Sequence, residues 1–128
     1  MRRASSLILS CGLLLGASRA HAEEVTYSLF YLPAKGCPSA EQFAAELATR
    51  APWLTEADGE APLSIEVSFQ ESTPVTGVLV VRDTDGQTTT RSVPGSSCAE
   101  VVSALALITT VLVDAQRAEK PAPAPAPR

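Results

Sequence analysis

The chain has one histidine, His21, and it falls in an N-terminal stretch that export would remove. Without histidine in the remainder, neither a Ser-His-Asp nor a Cys-His arrangement can be assembled. There are three cysteines, Cys11, Cys37 and Cys98, and none belongs to a CxxC pair. That spacing argues against a thioredoxin-like redox motif and against a cysteine-rich zinc site. No Gly-rich phosphate loop occurs. Basic residues are scarce, ten Lys and Arg against fourteen Asp and Glu. With no basic patch to neutralise phosphates, nucleic acid is not an expected partner. The acidity also opposes adhesion to anionic lipid headgroups. No apolar run reaches the roughly 20 residues that a membrane span requires.

What the chain does have begins with an export pattern. Arg2 and Arg3 precede the apolar stretch Ser6–Gly16, and Ala20-His21-Ala22 makes an A-x-A cleavage site followed by Glu23 and Glu24. Residues 1–22 therefore read as a cleaved signal peptide. Cys11 raises lipidation as an alternative, but a lipid-modified cysteine follows its apolar stretch, and here Gly12–Gly16 continue it. Arg2-Arg3 lack the flanks of a twin-arginine signal. Cleavage after Ala22 leaves about 106 residues, suited to one domain with one core. Removal of Arg2, Arg3 and Arg19 gives a mature net charge of about −7, which favours a soluble, self-repelling surface. The expected location is periplasmic or extracellular, an oxidising setting.

Val25–Leu32 is β-branched and aromatic and ends at Pro33, which predicts a strand. Val25, Tyr27, Leu29 and Tyr31 share one face, and Phe30 and Leu32 the other. Gly36-Cys37-Pro38-Ser39 opens a helix, with Ser39 and Gln42 spaced as a capping box. Ala40, Phe43, Ala44, Leu47 and Ala48 line its apolar face, and Pro52 stops it near Arg50. Ala51–Pro62 reads as a connecting loop. Leu63–Gln70 alternates apolar and polar residues, a strand with one buried face. Val75–Arg82 is a strand apolar on both faces. Asp85-Gly86 signals a hairpin that returns through the polar strand Gln87–Val93. Pro94-Gly95 is expected to break that strand. Ser97 and Glu100 are spaced as a second capping box, and the broadly apolar helix behind them runs to about Ala115. A helix this apolar belongs in the centre of a core, with a membrane span as the less favoured reading. Lys120–Arg128 is a Pro-Ala repeat expected to be extended.

The β-α-β-β-β-α order predicts an α+β two-layer sandwich, a four-stranded, mostly antiparallel sheet with two helices on one face. The disulfide-bonded domain spans 23–117, and 118–128 is a Pro/Ala-rich tail or linker. Cys37 and Cys98 are the two cysteines left after export and are expected to pair, with free or intermolecular thiols as the alternative. Bridged Cα atoms lie within about 7 Å. A bridge would therefore bring the two helix starts together, make the helices parallel, and make the strands that precede them run the same way.

The candidates for chemistry are few. Asp83-Thr84-Asp85-Gly86 resembles part of a calcium loop, but Val81 and Ser92 hold places where the full pattern needs acids. Glu56, Asp58 and Glu60 could pair for acid–base work, although acids in a loop are ordinarily a solvated face. No catalytic residue, metal or cofactor is expected. Trp53 is either a lid over the end of the core or an exposed anchor for a partner. Phe30, Leu32, Val78 and Val80 are expected to point away from the helices and, with Trp53, form the candidate partner surface; the alternative is that they are scattered exposed apolar residues that need no explanation.

Gly36-Cys37-Pro38 opening a short helix, the Asp-Gly hairpin, Ser97-Cys98 opening an Ala-Leu-Ala-Leu-Ile helix, and the Pro-rich run together resemble the N-terminal module of certain myxobacterial envelope proteins of unassigned function. In those, a Pro-rich linker leads into a further membrane-associated region, and this chain is expected to reach as far as the linker. The resemblance implies a periplasmic, disulfide-bonded module and no catalytic residues. The expectation is an exported, non-enzymatic envelope module that is protein-binding or structural, its partner another envelope protein or domain. The alternative is a small secreted inhibitor or effector.

Overall fold

A computed structural model describes residues 24–119. The signal-peptide reading of 1–22, with Cys11 and His21, and the Pro-Ala repeat from Lys120 onward lie outside the described residues.

The fold is α+β, with a mixed five-stranded sheet and two helices. In chain order the elements are β1 (Val25–Tyr31), α1 (Ala40–Arg50), β2 (Leu54–Glu56), β3 (Leu63–Gln70), β4 (Val75–Arg82), β5 (Thr88–Gly95) and α2 (Cys98–Glu119). The strand order is β2-β1-β3-β4-β5. β1 is parallel to both neighbours, whereas β3, β4 and β5 form an antiparallel meander. The expected four-stranded, mostly antiparallel sheet is roughly matched by β1, β3, β4 and β5, to which β2 adds a fifth strand, parallel to β1. The added strand, β2, lies in the segment expected to be loop. It is three residues long, too short to show a period, and it exists because Leu54, Thr55 and Glu56 pair with Val25, Thr26 and Tyr27. Residues 57–62 then carry the chain from one flank of Tyr27 to the other, where Leu63 pairs with it.

The register sorts side chains onto two faces. Tyr27, Leu29 and Tyr31 stand beside Leu63, Ile65 and Val67, which continue across β4 to Val81 and Leu79. This is the core face. α1 packs on it through Phe43, whose ring lies 5.9 Å from that of Tyr31, and Tyr31 also meets Phe69 edge-on at 5.7 Å. α2 packs on it through Val101 and Leu105, which lie directly over Gly77. A side chain at position 77 would hold the helix off the sheet, so the glycine sets how closely the two layers approach. The core holds Tyr27, Phe43, Leu47, Leu54, Ile65, Val67, Leu79, Val81, Val101, Val102, Leu105 and Val113.

The helix starts follow the sequence signals. Ser39 Oγ accepts from the Gln42 N–H at 3.2 Å, and Gln42 Oε1 accepts from the Ser39 N–H at 2.7 Å. At α2, Ser97 Oγ accepts from the Glu100 N–H, but the return bond is shifted by one residue: Glu100 Oε2 accepts from the N–H and hydroxyl of Ser96. α2 continues four residues past the expected end at Ala115. Gln116, Arg117, Ala118 and Glu119 have good helix propensity, and Arg117 is held over the Trp53 ring at 3.9 Å.

A disulfide joins Cys37, in the turn before α1, to Cys98, the first residue of α2, with Cα atoms 5.1 Å apart. Further along, Ser103 of α2 donates to Glu46 of α1 at 2.9 Å. Two ties in the same order along both helices mean that the helices run the same way. β1 and β5, the strands before them, are also co-directional, since β5 is antiparallel to β4, β4 to β3, and β3 is parallel to β1.

Candidate functional site

The helix-free face carries the other half of each strand. Alternation puts Phe30 and Leu32 on it from β1 and its extension, Val78 and Val80 from β4, and the polar residues of β3 between them. Phe30 pairs with Glu66, which pairs in turn with Val80, and Val80 with Thr90. Leu32 sits one residue beyond the ladder, its N–H donating to the Val67 carbonyl, and therefore falls beside Ser68, the partner of Val78. Phe30 is 57% exposed and Leu32 58%. Val78 and Val80 are half-buried.

The four apolar residues therefore share a face but not a continuous patch. Two strand spacings, about 10 Å, separate Phe30 from Val80, with the exposed Glu66 between them. Ser64, Ser68, Thr88, Thr90 and Ser92 make the rest of this face hydroxyl-rich. The face thus carries two apolar pairs, Phe30 with Leu32 and Val78 with Val80, with the polar residues of β3 between them.

Trp53 is not part of that face. It is half-buried against the core between α1 and β2, and Arg117 covers its ring. Arg117 in turn lies 3.9 Å from Asp114. Of the two readings of this tryptophan, its position corresponds to the lid, with a cation over its outer side.

The disulfide lines a depression of about 310 Å³ at the helix-start end, together with Lys35, Phe69, Glu71 and Val75. Between the helices runs a second, open groove of about 480 Å³, lined by Ala45, Glu46, Thr49, Arg50 and Ser103. Glu46 Oε1 accepts from Ser103, while Oε2 is buried with no hydrogen-bond partner. Among the described residues no group of three or more His, Cys, Asp or Glu is placed to hold a metal. The Asp83 carboxylate is engaged by the hairpin itself, its Oδ1 accepting from the N–H groups of Asp85 and Gln87 at 2.9 Å each. Glu56, Asp58 and Glu60 are all exposed.

Sequence reasoning missed one apolar surface. On the outer side of α2, Leu107 is 48% exposed and Val111 58%. The signal was present, since Leu107 interrupts the line of Glu100, Ser103, Thr110 and Asp114 along the helix. By length and composition α2 could cross a membrane, but here Val101, Val102, Leu105, Ala106 and Val113 are buried in the core. The buried Thr109 is accommodated because its hydroxyl donates to the Leu105 carbonyl at 2.7 Å.

Compared with known proteins, the chain matches no family model and no curated protein.

Proposed function

We propose that this chain is an exported, non-enzymatic module of the cell envelope or periplasm that binds another envelope protein or domain through the helix-free face of its sheet. The observation that carries the reading is the pair Phe30 and Leu32, each more than half exposed on the face opposite the helices. The export pattern of residues 1–22 and the Cys37–Cys98 bridge support an oxidising compartment. Closing the exposed parts of both side chains in an interface would contribute about 1 kcal/mol each. That is enough to shape affinity without destabilising the free protein.

The test is capture from envelope extract by the mature, oxidised protein and by a Phe30→Ser/Leu32→Ser variant. The proposal expects one envelope protein to be retained by the first and lost with the second, at unchanged thermal stability. Equal capture by both would overturn it. Recovery of the protein from culture medium, with inhibition of a protease or hydrolase, would favour a secreted inhibitor instead.

A further inference from the structure

β5 is an outer strand of the sheet, and its free edge is eight residues long. The hairpin fixes which of its backbone groups face outward. The Asp83 N–H donates to the Gln87 carbonyl at 2.9 Å, so the hydrogen-bonded pairs that follow are Val81 with Thr89, Leu79 with Arg91, Gly77 with Val93 and Val75 with Gly95. Thr88, Thr90, Ser92 and Pro94 alternate with these, and their main-chain groups point away from β4. All four residues are exposed. Such an edge is a template for another strand.

The outward pattern is self-complementary. A second copy related by a two-fold axis at Thr90 would set Thr90 against Thr90, and Thr88 against Ser92 in both directions, forming six main-chain hydrogen bonds. Two residues stand in the way. Arg91 folds back so that Nη1 donates to the Thr90 carbonyl at 3.0 Å. This occupies the acceptor at the would-be axis and would bring two guanidinium groups together there. Pro94 has no N–H, so the register centred on Ser92, which sets Pro94 against Thr90, loses a bond at each end. The opposite edge, β2, is only three residues long and needs no such protection.

We propose that Arg91 and Pro94 guard the β5 edge against pairing with a second copy of this chain. The test is the mass of the oxidised mature protein in solution across a concentration series, for wild type, Arg91→Thr, Arg91→Thr/Pro94→Thr, and that double variant with Thr90→Pro added. Wild type is expected to keep the monomer mass throughout. The double variant is expected to move to twice that mass with rising concentration, its self-association at least about tenfold tighter. Arg91→Thr alone, at an exposed position, is expected to do so to a smaller extent, and Thr90→Pro to restore the monomer. Monomeric behaviour of both the single and the double variant would overturn the proposal. So would a wild-type dimer, or association that Thr90→Pro leaves intact.

Discussion

Ser103 Oγ donates to Glu46 Oε1 across the helix pair at 2.9 Å, and the other carboxylate oxygen, Oε2, is buried without a partner. The contact ties α1 to α2 beyond the disulfide, yet it is only half satisfied. Removing a partner from a buried polar group costs more than removing both. Ser103→Ala should therefore destabilise by about 1–2 kcal/mol, and Glu46→Met/Ser103→Ala by less than Ser103→Ala alone. Urea denaturation of the two variants checks the order. A double variant less stable than Ser103→Ala would show that the carboxylate contributes through contacts other than this bond.

Gly77 lies under α2. A Cβ there would press on Val101 Cγ1 and sit 2.8 Å from Leu105 Cδ1. Both side chains are buried, so neither can swing aside freely. Gly77→Ala should lower stability by about 1–3 kcal/mol through overpacking. Gly59, with nothing within 4 Å of a Cβ, serves as the control, and Gly59→Ala should stay within about 0.5 kcal/mol of wild type. Denaturant midpoints compare the two.

The Cys37–Cys98 bridge spans 61 residues. In the chain-entropy account, a loop of this length stabilises by about 4 kcal/mol, a large share of the roughly 5–15 kcal/mol typical of a domain. Cys37→Ser/Cys98→Ser should lower the thermal midpoint by well over 10 °C. A calorimetric midpoint within a few degrees of wild type would show that the α1–α2 packing is sufficient without the bridge.

Burial pushes the Tyr27 phenol up to about 12, and the nearby Glu56 carboxylate adds to the shift. Burial raises Tyr31 as well. The folded state then holds the Tyr27 proton more tightly than the unfolded chain, in which phenols titrate near 10. The stability linked to that proton is complete below about pH 10 and is lost as pH rises through about 12, a loss of about 2–3 kcal/mol in all. Phenolate absorbance reports this directly, because the chain has only two tyrosines. Neither should ionise at the ordinary value in the folded protein, and both should in denaturant.

The periodic parts of this fold were legible in the sequence. Leu63–Gln70 has the limits its alternation predicts, Val75–Arg82 those expected of an apolar strand between the turn at Pro74 and the Asp85-Gly86 hairpin, and the Ser39–Gln42 box marks the start of α1. The two cysteines indicated the direction of both helices and of the strands that precede them. What escaped depends on tertiary context. β2 is a strand only because β1 offers it an edge. Pro94 was expected to end β5 but lies within it, because its position faces outward, where no N–H is required. The candidate surface was legible by parity, which places Phe30, Leu32, Val78 and Val80 on one face. Their separation by Glu66 and Ser68 was not, because it depends on β3 lying between β1 and β4. Trp53 was separated from them by the turn into β2 and by Arg117, 64 residues further along the chain.

The central claim is that the helix-free sheet face is the docking surface. Its most direct test is a photo-activated crosslinking side chain placed at position 30 in cells that export the protein, with position 49 on the exposed side of α1 as the comparison. The account predicts a discrete adduct with one envelope protein from position 30, lost when Leu32 and Val78 are replaced by serine, and none from position 49. No adduct from position 30, or the same adduct from both positions, would contradict it.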